Sequence, residues 1–443
     1  MSLRAVNSPN LESAFFSAAI LSGLLLCTIL IIFLPSPFVL APPVIATLAY
    51  SVYRWPTHSI ACVLFLMPFL PLFLVALKAT GVPWAQAASS SKELALLGAA
   101  IVLARRQGLD LEKRDLPLIG LFAWAVAISM VKPTPSTWIG LKDDFDFALA
   151  FFVGRLIVLS PRWVKTGLWI ASIVAVLGLV EFFVLGSGPR MILMGISDPA
   201  DLPVSFRADL FEGIRAGSTL GGPLEFGGFC AVVLLVFATF YRGISRKYFL
   251  LALLIALGLV ASVTRMAGLG LALGLVLIAI RTGQKLRLAA VVVGSAILLL
   301  AVIIPVMGLQ GFVAATISGQ DSSLTSHRTS VLEKTSYLLS HPLGAGAGSV
   351  GPRAAARDPN ALEVESGYIL FGMEYGWPGL ALFVLFCGFL FVRLWHSDSS
   401  FGLAACAVLL AMITMLFFSP IHMDFGLNSW AWVIIGSGLS RRV

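Results

Sequence analysis

Residues 242–287 read RGISRKYFLLALLIALGLVASVTRMAGLGLALGLVLIAIRTGQKLR, two apolar runs flanked by basic residues and joined at Arg265. Each run is close to the length that crosses about 30 Å of hydrocarbon, roughly 20 residues and fewer where the bilayer thins. Arg242, Arg246 and Lys247 precede the first run, and Arg281, Lys285 and Arg287 surround the end of the second. Both flanks therefore share one side of a membrane, and the positive-inside rule makes that side the cytoplasm. Arg265 lies on the other side, in the tight connection Ser262-Val-Thr-Arg265-Met-Ala-Gly, where Lys and Arg are disfavoured. A helical hairpin in lipid with one misplaced arginine sets the frame for the rest of the chain.

The same reading extends outward in both directions. Hydrophobic residues make up 58% of the sequence and charged residues 12%, with a mean hydropathy of +0.96. Soluble domains carry about a quarter charged residues, so lipid is the solvent for much of this surface. The expected fold is an all-α polytopic integral membrane protein, residues 1–443 forming a single membrane domain. Gly and Pro do not oppose this, because neighbouring membrane helices satisfy the backbone groups they free. A net charge of +8 needs no nucleic acid, since cytoplasmic loops collect basic residues. The five cysteines all fall inside apolar segments and read as packing residues, with neither a disulfide framework nor metal-ligand spacing. The first apolar run is a full span without a small-residue cleavage site after it.

Candidate spans fall at approximately 13–34, 38–53, 58–77, 88–105, 116–132, 145–160, 163–186, 218–241, 247–263, 265–281, 286–308, 374–396, 399–419 and 427–440. With about fourteen spans (the range is about 12–14), the basic clusters all land on one side. These are Arg54; Arg105 to Arg114; Arg162 and Lys165; Arg242 to Lys247; Arg281 to Arg287; Arg393; and Arg441 with Arg442. Both termini are then cytoplasmic. Two connections on the far side are too long and polar to be turns: 187–217 and 309–373. Long connections inside a compact domain commonly carry function. The second contains a periodic segment, Arg328 to Leu339, with Val331, Leu332, Tyr337 and Leu338 on one face, which reads as an amphipathic interfacial helix. No inverted repeat of the transporter kind is visible.

Charges on the far side gather at span ends. Arg215 opens Arg215-Ala-Gly-Ser218-Thr219-Leu-Gly-Gly-Pro-Leu-Glu225, a flexible, hydroxyl-rich approach to a helix that lets backbone N–H groups and a guanidinium converge on an anion. The plainer reading is capping by Ser218 or Thr219, and the two are compatible. Arg155 lies inside a span, where an ionised side chain must be paired or wet; snorkelling, or pairing with Glu181 or Glu225, is the structural reading. Asp143, Asp144 and Asp146 read as acids favoured by the dipole at a helix N-terminus. Arginine forks match phosphate geometry, and a lipid-linked diphosphate sits at this depth. No P-loop or dinucleotide fingerprint is present.

These motifs, with His341-Pro-Leu-Gly-Ala-Gly-Ala-Gly348 and Glu365-Ser-Gly-Tyr368-Ile-Leu-Phe-Gly-Met-Glu374-Tyr-Gly376-Trp-Pro-Gly-Leu380, resemble the O-antigen ligase and Wzy-type polymerase superfamily over roughly residues 210 to 380. The resemblance implies transfer of a glycan from undecaprenyl diphosphate to an acceptor hydroxyl, with inversion and without metal or cofactor, at the periplasmic face of the bacterial inner membrane. It places Arg215 and Arg265 on the diphosphate, with Arg328 as a further contact. Ligases of the family carry a histidine near the position of Glu365-Ser366-Gly367-Tyr368. Here Glu365 is the expected general base, which points to the polymerase branch, whose acceptor is a second lipid-linked repeat unit.

His327 is a rival base, with a solvated interfacial histidine as its plainer reading; Glu363 reads as a loop charge. Ser366 joins Ser218, Thr219, Arg155 and His327 as expected substrate contacts, along with Tyr368, which with Glu374 also reads as structural, Glu374 pairing a buried arginine. The implied partners are lipid-linked oligosaccharide donor and acceptor, membrane lipids and a chain-length regulator. Two alternatives stay open: a ligase acting on lipid A core, and a transporter of a lipid-linked oligosaccharide or organic anion using Arg155, Glu181 and Glu225.

Overall fold

The structure is a computed structural model that describes residues 41–79, 91–108, 111–194, 215–240, 245, 247–284, 314, 318, 322–351, 354 and 361–440. The expected spans 13–34 and 286–308 lie outside these residues. The described residues are helical, without strands. In chain order the helices are α1 (Ala41–Arg54), α2 (Pro56–Leu66), α3 (Leu70–Ala79), α4 (Ser91–Gln107), α5 (Leu116–Val131), α6 (Thr137–Leu156), α7 (Pro161–Val180) and α8 (Gly188–Met194). They continue with α9 (Pro223–Phe240), α10 (Lys247–Ala261), α11 (Arg265–Thr282), α12 (Ser322–Ser340), α13 (Gly367–Trp395), α14 (Ser400–Met415) and α15 (Phe425–Ser437).

Among the described residues, five helical segments are long and apolar enough to cross a membrane: Pro56–Ala76, Pro161–Leu185, Pro223–Phe240, Arg265–Thr282 and Gly367–Trp395. Leu116–Val131, Lys247–Ala261 and Ser400–Met415 are apolar but shorter. Proline stands in the first turn of α2, α5 and α7, where its missing N–H leaves no bond unmade. α11 ends on Gly283 in the left-handed conformation, the usual helix stop.

The centre of the bundle is aromatic. Phe147 and Phe151 of α6, Phe371, Phe383 and Phe386 of α13 and Trp432 of α15 are buried against one another, with Phe147 and Trp432 centroids 4.8 Å apart. Tilted, edge-on and stacked ring pairs of this kind add to the stabilisation from burial alone.

Contacts between connections mark two ends of the bundle. At the upper end, Lys132 Nζ donates to Gly344 O (2.7 Å), Gly367 N to Leu416 O (2.8 Å) and Ala216 N to Ala261 O (3.1 Å). At the lower end, Arg281 donates to Ser397 O (2.9 Å), and Arg155 meets Asp115 (2.6 Å) and Glu112 (3.7 Å).

Two expectations are corrected here. Arg155 pairs with Asp115 and Glu112, not with Glu181 or Glu225. It stands just before α7 and Glu181 just after it, and a 20-residue helix separates its ends by about 30 Å. Asp143, Asp144 and Asp146 do not precede their helix. They are buried in its second and third turns, because neighbouring polar groups make carboxylates tolerable that hydropathy alone would exclude: Lys92 Nζ is 3.2 Å from Asp146 and Lys142 Nζ 3.4 Å from Asp143.

α13 is broken at Gly376 (φ 68°), where the chain at Pro342 and Leu343 crosses and Trp377 N donates to Pro342 O (2.9 Å). A Cβ at this position would stand 2.7 Å from Leu343 Cα and closer still to Pro342 O. Gly376→Ala therefore combines a left-handed backbone with a backbone clash, and should lower stability by about 2–4 kcal/mol. Gly388→Ala is the control, since nothing lies within 4 Å of a Cβ there. Thermal unfolding in detergent checks both. Equal melting temperatures for the two variants would refute the close approach.

Candidate functional site

Two short connections at the upper end hold the expected arginines. Residues 215–222 lead into α9, and Ser262–Thr264 join α10 to α11. Arg215 is partly buried; its Nε donates to Ser262 O and a terminal nitrogen to Thr264 Oγ1, each at 3.2 Å. Thr264 Oγ1 in turn donates to Pro223 O (3.0 Å), so the two connections are knitted into one unit. The turn is tight enough to force Val263 to φ 50°, unusual for a β-branched residue.

Arg265, the first residue of α11, is exposed and stands within electrostatic reach of Arg215. Burial, and then the Arg265 charge, bring the Arg215 guanidinium down to about 10 from its ordinary 12.5. It stays charged at neutral pH, and among the described residues it makes no ion pair. A half-buried guanidinium held by neutral acceptors beside a second guanidinium has the chemistry to attract an anion.

The hydroxyls next to Arg215 point inward. Ser218 Oγ donates to Val174 O (2.5 Å) and Thr219 Oγ1 to Pro68 O (2.8 Å). Neither caps α9. The first turn of that helix is tied back by Glu225, whose Oε2 accepts from Gly221 N (2.5 Å). Ser218 and Thr219 thus hold the loop against α7 and the α2–α3 link.

On the other side of α14 lies the segment expected to carry the base. Glu363 and Glu365 are exposed on an extended stretch, and Ser366 is buried at the N-cap of α13. Ser366 Oγ donates to Leu416 O (3.4 Å) and Tyr368 Oη to Ile413 O (2.9 Å), so both anchor the start of α13 on α14. The turn before this segment, with Gly344, Gly346 and Gly348 all at positive φ, lies on α5 and α6: Thr134 Oγ1 donates to Ala347 O (3.0 Å), and Ala347 N to Ser129 Oγ (3.0 Å). α12 packs on α13 through Leu338, and Tyr337 packs against the small cluster of Val350, Val364, Leu370, Met373 and Met423, whereas Leu332 is exposed. The side chains of His327 and Arg328, on the first half of α12, lie outside the described residues.

Beneath the glycine turn is a polar cluster that the sequence did not reveal. Tyr375 Oη donates to Asp144 Oδ2 (2.5 Å), His422 Nε2 stands 3.4 Å from Asp144 Oδ1, and Glu374 lies against the same carboxylate. All four residues are fully buried. Glu374 therefore meets a second acid, not the arginine expected for it. The 3-10 turn Ile421–Met423 joins this cluster to the arginines: His422 faces Asp144, and Asp424 hydrogen-bonds Glu225, which stands within reach of Arg190.

Arg190 was also missed. The sequence shows it in a polar loop, but the structure buries it in α8 against Glu181 (2.8 Å). The signal available beforehand was Glu181, an acid near one span end whose expected partner, Arg155, precedes the opposite end of that span. For His422 it was a histidine two residues before an acid in the last far-side connection.

Residues 250–384 match the Wzy_C family model, described as O-antigen ligase. The match takes in Arg265, the glycine turn, Glu365 and the break at Gly376 in α13, ends within that helix, and begins after Arg215. No curated protein matches the chain. Over this segment the chain is similar to the O-antigen ligase/Wzy-type superfamily.

Proposed function

We propose that the protein is a metal-independent, inverting glycosyltransferase that polymerises undecaprenyl-diphosphate-linked repeat units at the periplasmic face of the inner membrane. The observation that carries this reading is the convergence of Arg215 and Arg265, with no carboxylate on Arg215 among the described residues. The acceptor hydroxyl oxygen attacks the anomeric carbon as the bond to the diphosphate oxygen breaks. The bonding pair leaves with the diphosphate, where the two guanidiniums meet the developing charge. The hydroxyl proton passes to Glu365, an exposed residue. Arg328 on α12 adds a third cation to the same reading.

The sidedness rests on charge. Arg106, Arg155 and Arg281 crowd the lower end and its polar partners, consistent with a cytoplasmic face, about fourteen spans and cytoplasmic termini. Arg190, Arg215 and Arg265 are then among the exceptions, on the periplasmic side with Lys132. The lipid-linked donor and acceptor are the partners, together with a chain-length regulator. Ligation to lipid A core is the second reading, favoured by the description of the matched family model.

The lipid-linked glycan profile of cells lacking the protein separates these. Single repeat units without a ladder are the expected result. A full ladder that fails only to reach lipid A assigns ligation instead, and an unaltered ladder on lipid A removes both.

A further inference from the structure

α7 does not end as an ordinary helix. It passes into a single π-helical turn, Glu181–Leu185, a one-turn irregularity that re-aims the side chain at its start. Glu181 Oε2 accepts from Gly217 N (3.0 Å) and Ser218 N (2.6 Å), while Oε1 accepts from Arg190 Nε (2.8 Å). Arg190 donates onward to Ser218 O and to Leu220 O (3.3 Å). Glu181 is 6% exposed and Arg190 4%.

An ion pair this deep gains little over an apolar pair of the same size, because desolvation offsets the attraction. What distinguishes it is where four further hydrogen bonds go: they fall on the main chain of residues 217–220. There they hold Ser218 at φ 54°, a conformation serine rarely adopts. Arg215 begins this same loop, two residues before the first clamped amide.

We infer that Glu181 and Arg190 are positioning residues for Arg215. They lock residues 215–222 in the shape that sets Arg215 beside Arg265, and so fix the spacing of the two guanidiniums. That spacing is what lets the site prefer a diphosphate, with two charged groups to span it, over a monophosphate. The inference rests on the proposed diphosphate role of Arg215 and Arg265.

Farnesyl diphosphate and farnesyl monophosphate are suitable probes, bound to the purified full-length protein in nanodiscs. Glu181→Gln replaces one of two accepting oxygens by a donor, and Arg190→Lys keeps the charge but loses the fork that reaches two carbonyls. Each variant should weaken diphosphate binding by roughly tenfold, as misplacing a positioned group does, while monophosphate binding stays unchanged. If Glu181→Gln does not fold, Arg190→Lys carries the test.

Equal loss of both ligands would mean general loosening and would overturn the positioning role. Wild-type diphosphate binding in a folded variant would overturn it too, and if Arg215→Ala still loses diphosphate binding, the anion site itself stands. Should Arg215→Ala also bind diphosphate normally, the anion site falls and the positioning role falls with it.

Discussion

Arg265→Ala or Arg215→Ala lowers glycan transfer by roughly 100- to 1,000-fold, the loss that follows removal of one group poised on a charge that develops in the transition state. Single lipid-linked units accumulate in cells carrying either variant. The reason lies in the electrostatics of the two guanidiniums. Arg215 is held at about 10, below its ordinary value, by burial and by Arg265. A group whose folded pKa is depressed while it must carry positive charge costs stability at neutral pH. Between pH 10 and the unfolded value the unfolded chain binds more protons, so this cost fades as pH rises through that window. A diphosphate relieves the same cost at neutral pH.

Farnesyl diphosphate should therefore raise the melting temperature of the wild-type protein, and should raise it far less in either alanine variant. Normal chain growth by Arg215→Ala would end the diphosphate assignment, whatever the thermal data showed.

Much of this arrangement could be read from the sequence, because charge out of place is a strong signal in lipid. Arg215 and Arg265 stand out since a positively charged side chain at the far end of a span needs a reason, and the structure brings their two connections into direct contact. The helices are visible for the same reason: apolar runs are long, and Pro and Gly mark their ends.

The parts that stayed hidden are those in which polar groups cancel one another. Asp144, Glu374, Tyr375 and His422 lie on three separate stretches of chain, and no local pattern says that they meet. Their hydropathy instead shortened α6 and delayed the expected start of α13 to Glu374. Arg155 shows the same limit: its need for a partner was legible, but the choice of Asp115 depends on which helix ends are neighbours.

Glu365→Gln should reduce turnover by roughly 10²- to 10⁴-fold while donor binding persists, since the amide cannot take the proton of the attacking hydroxyl. Among the described residues, Glu374, the Asp144–His422 pair and Glu363 are rival proton acceptors at the upper end, and their burial and position rank them. Glu374 and the Asp144–His422 pair are fully buried under the glycine turn, with Glu374 beside Asp144 and His422 Nδ1 close enough to Gly367 that a Cβ there would stand 3.4 Å away. No acceptor sugar reaches them without the turn lifting. Glu363 is also exposed but stands two residues farther from the anchored start of α13.

Glu365 is tied to that anchor through Ser366 and Gly367, whose contacts with Leu416 fix the backbone next to it. A base needs such fixing, because proton transfer depends on hydrogen-bond geometry in the transition state. The comparison is a single-turnover measurement on Glu365→Gln, Glu363→Gln and His422→Gln with lipid-linked donor and acceptor. Glu363→Gln should be near wild type. Wild-type turnover by Glu365→Gln together with a collapse in His422→Gln, at unchanged melting temperature, would move the base to the buried Asp144–His422 pair and make opening of the glycine turn a step of the reaction.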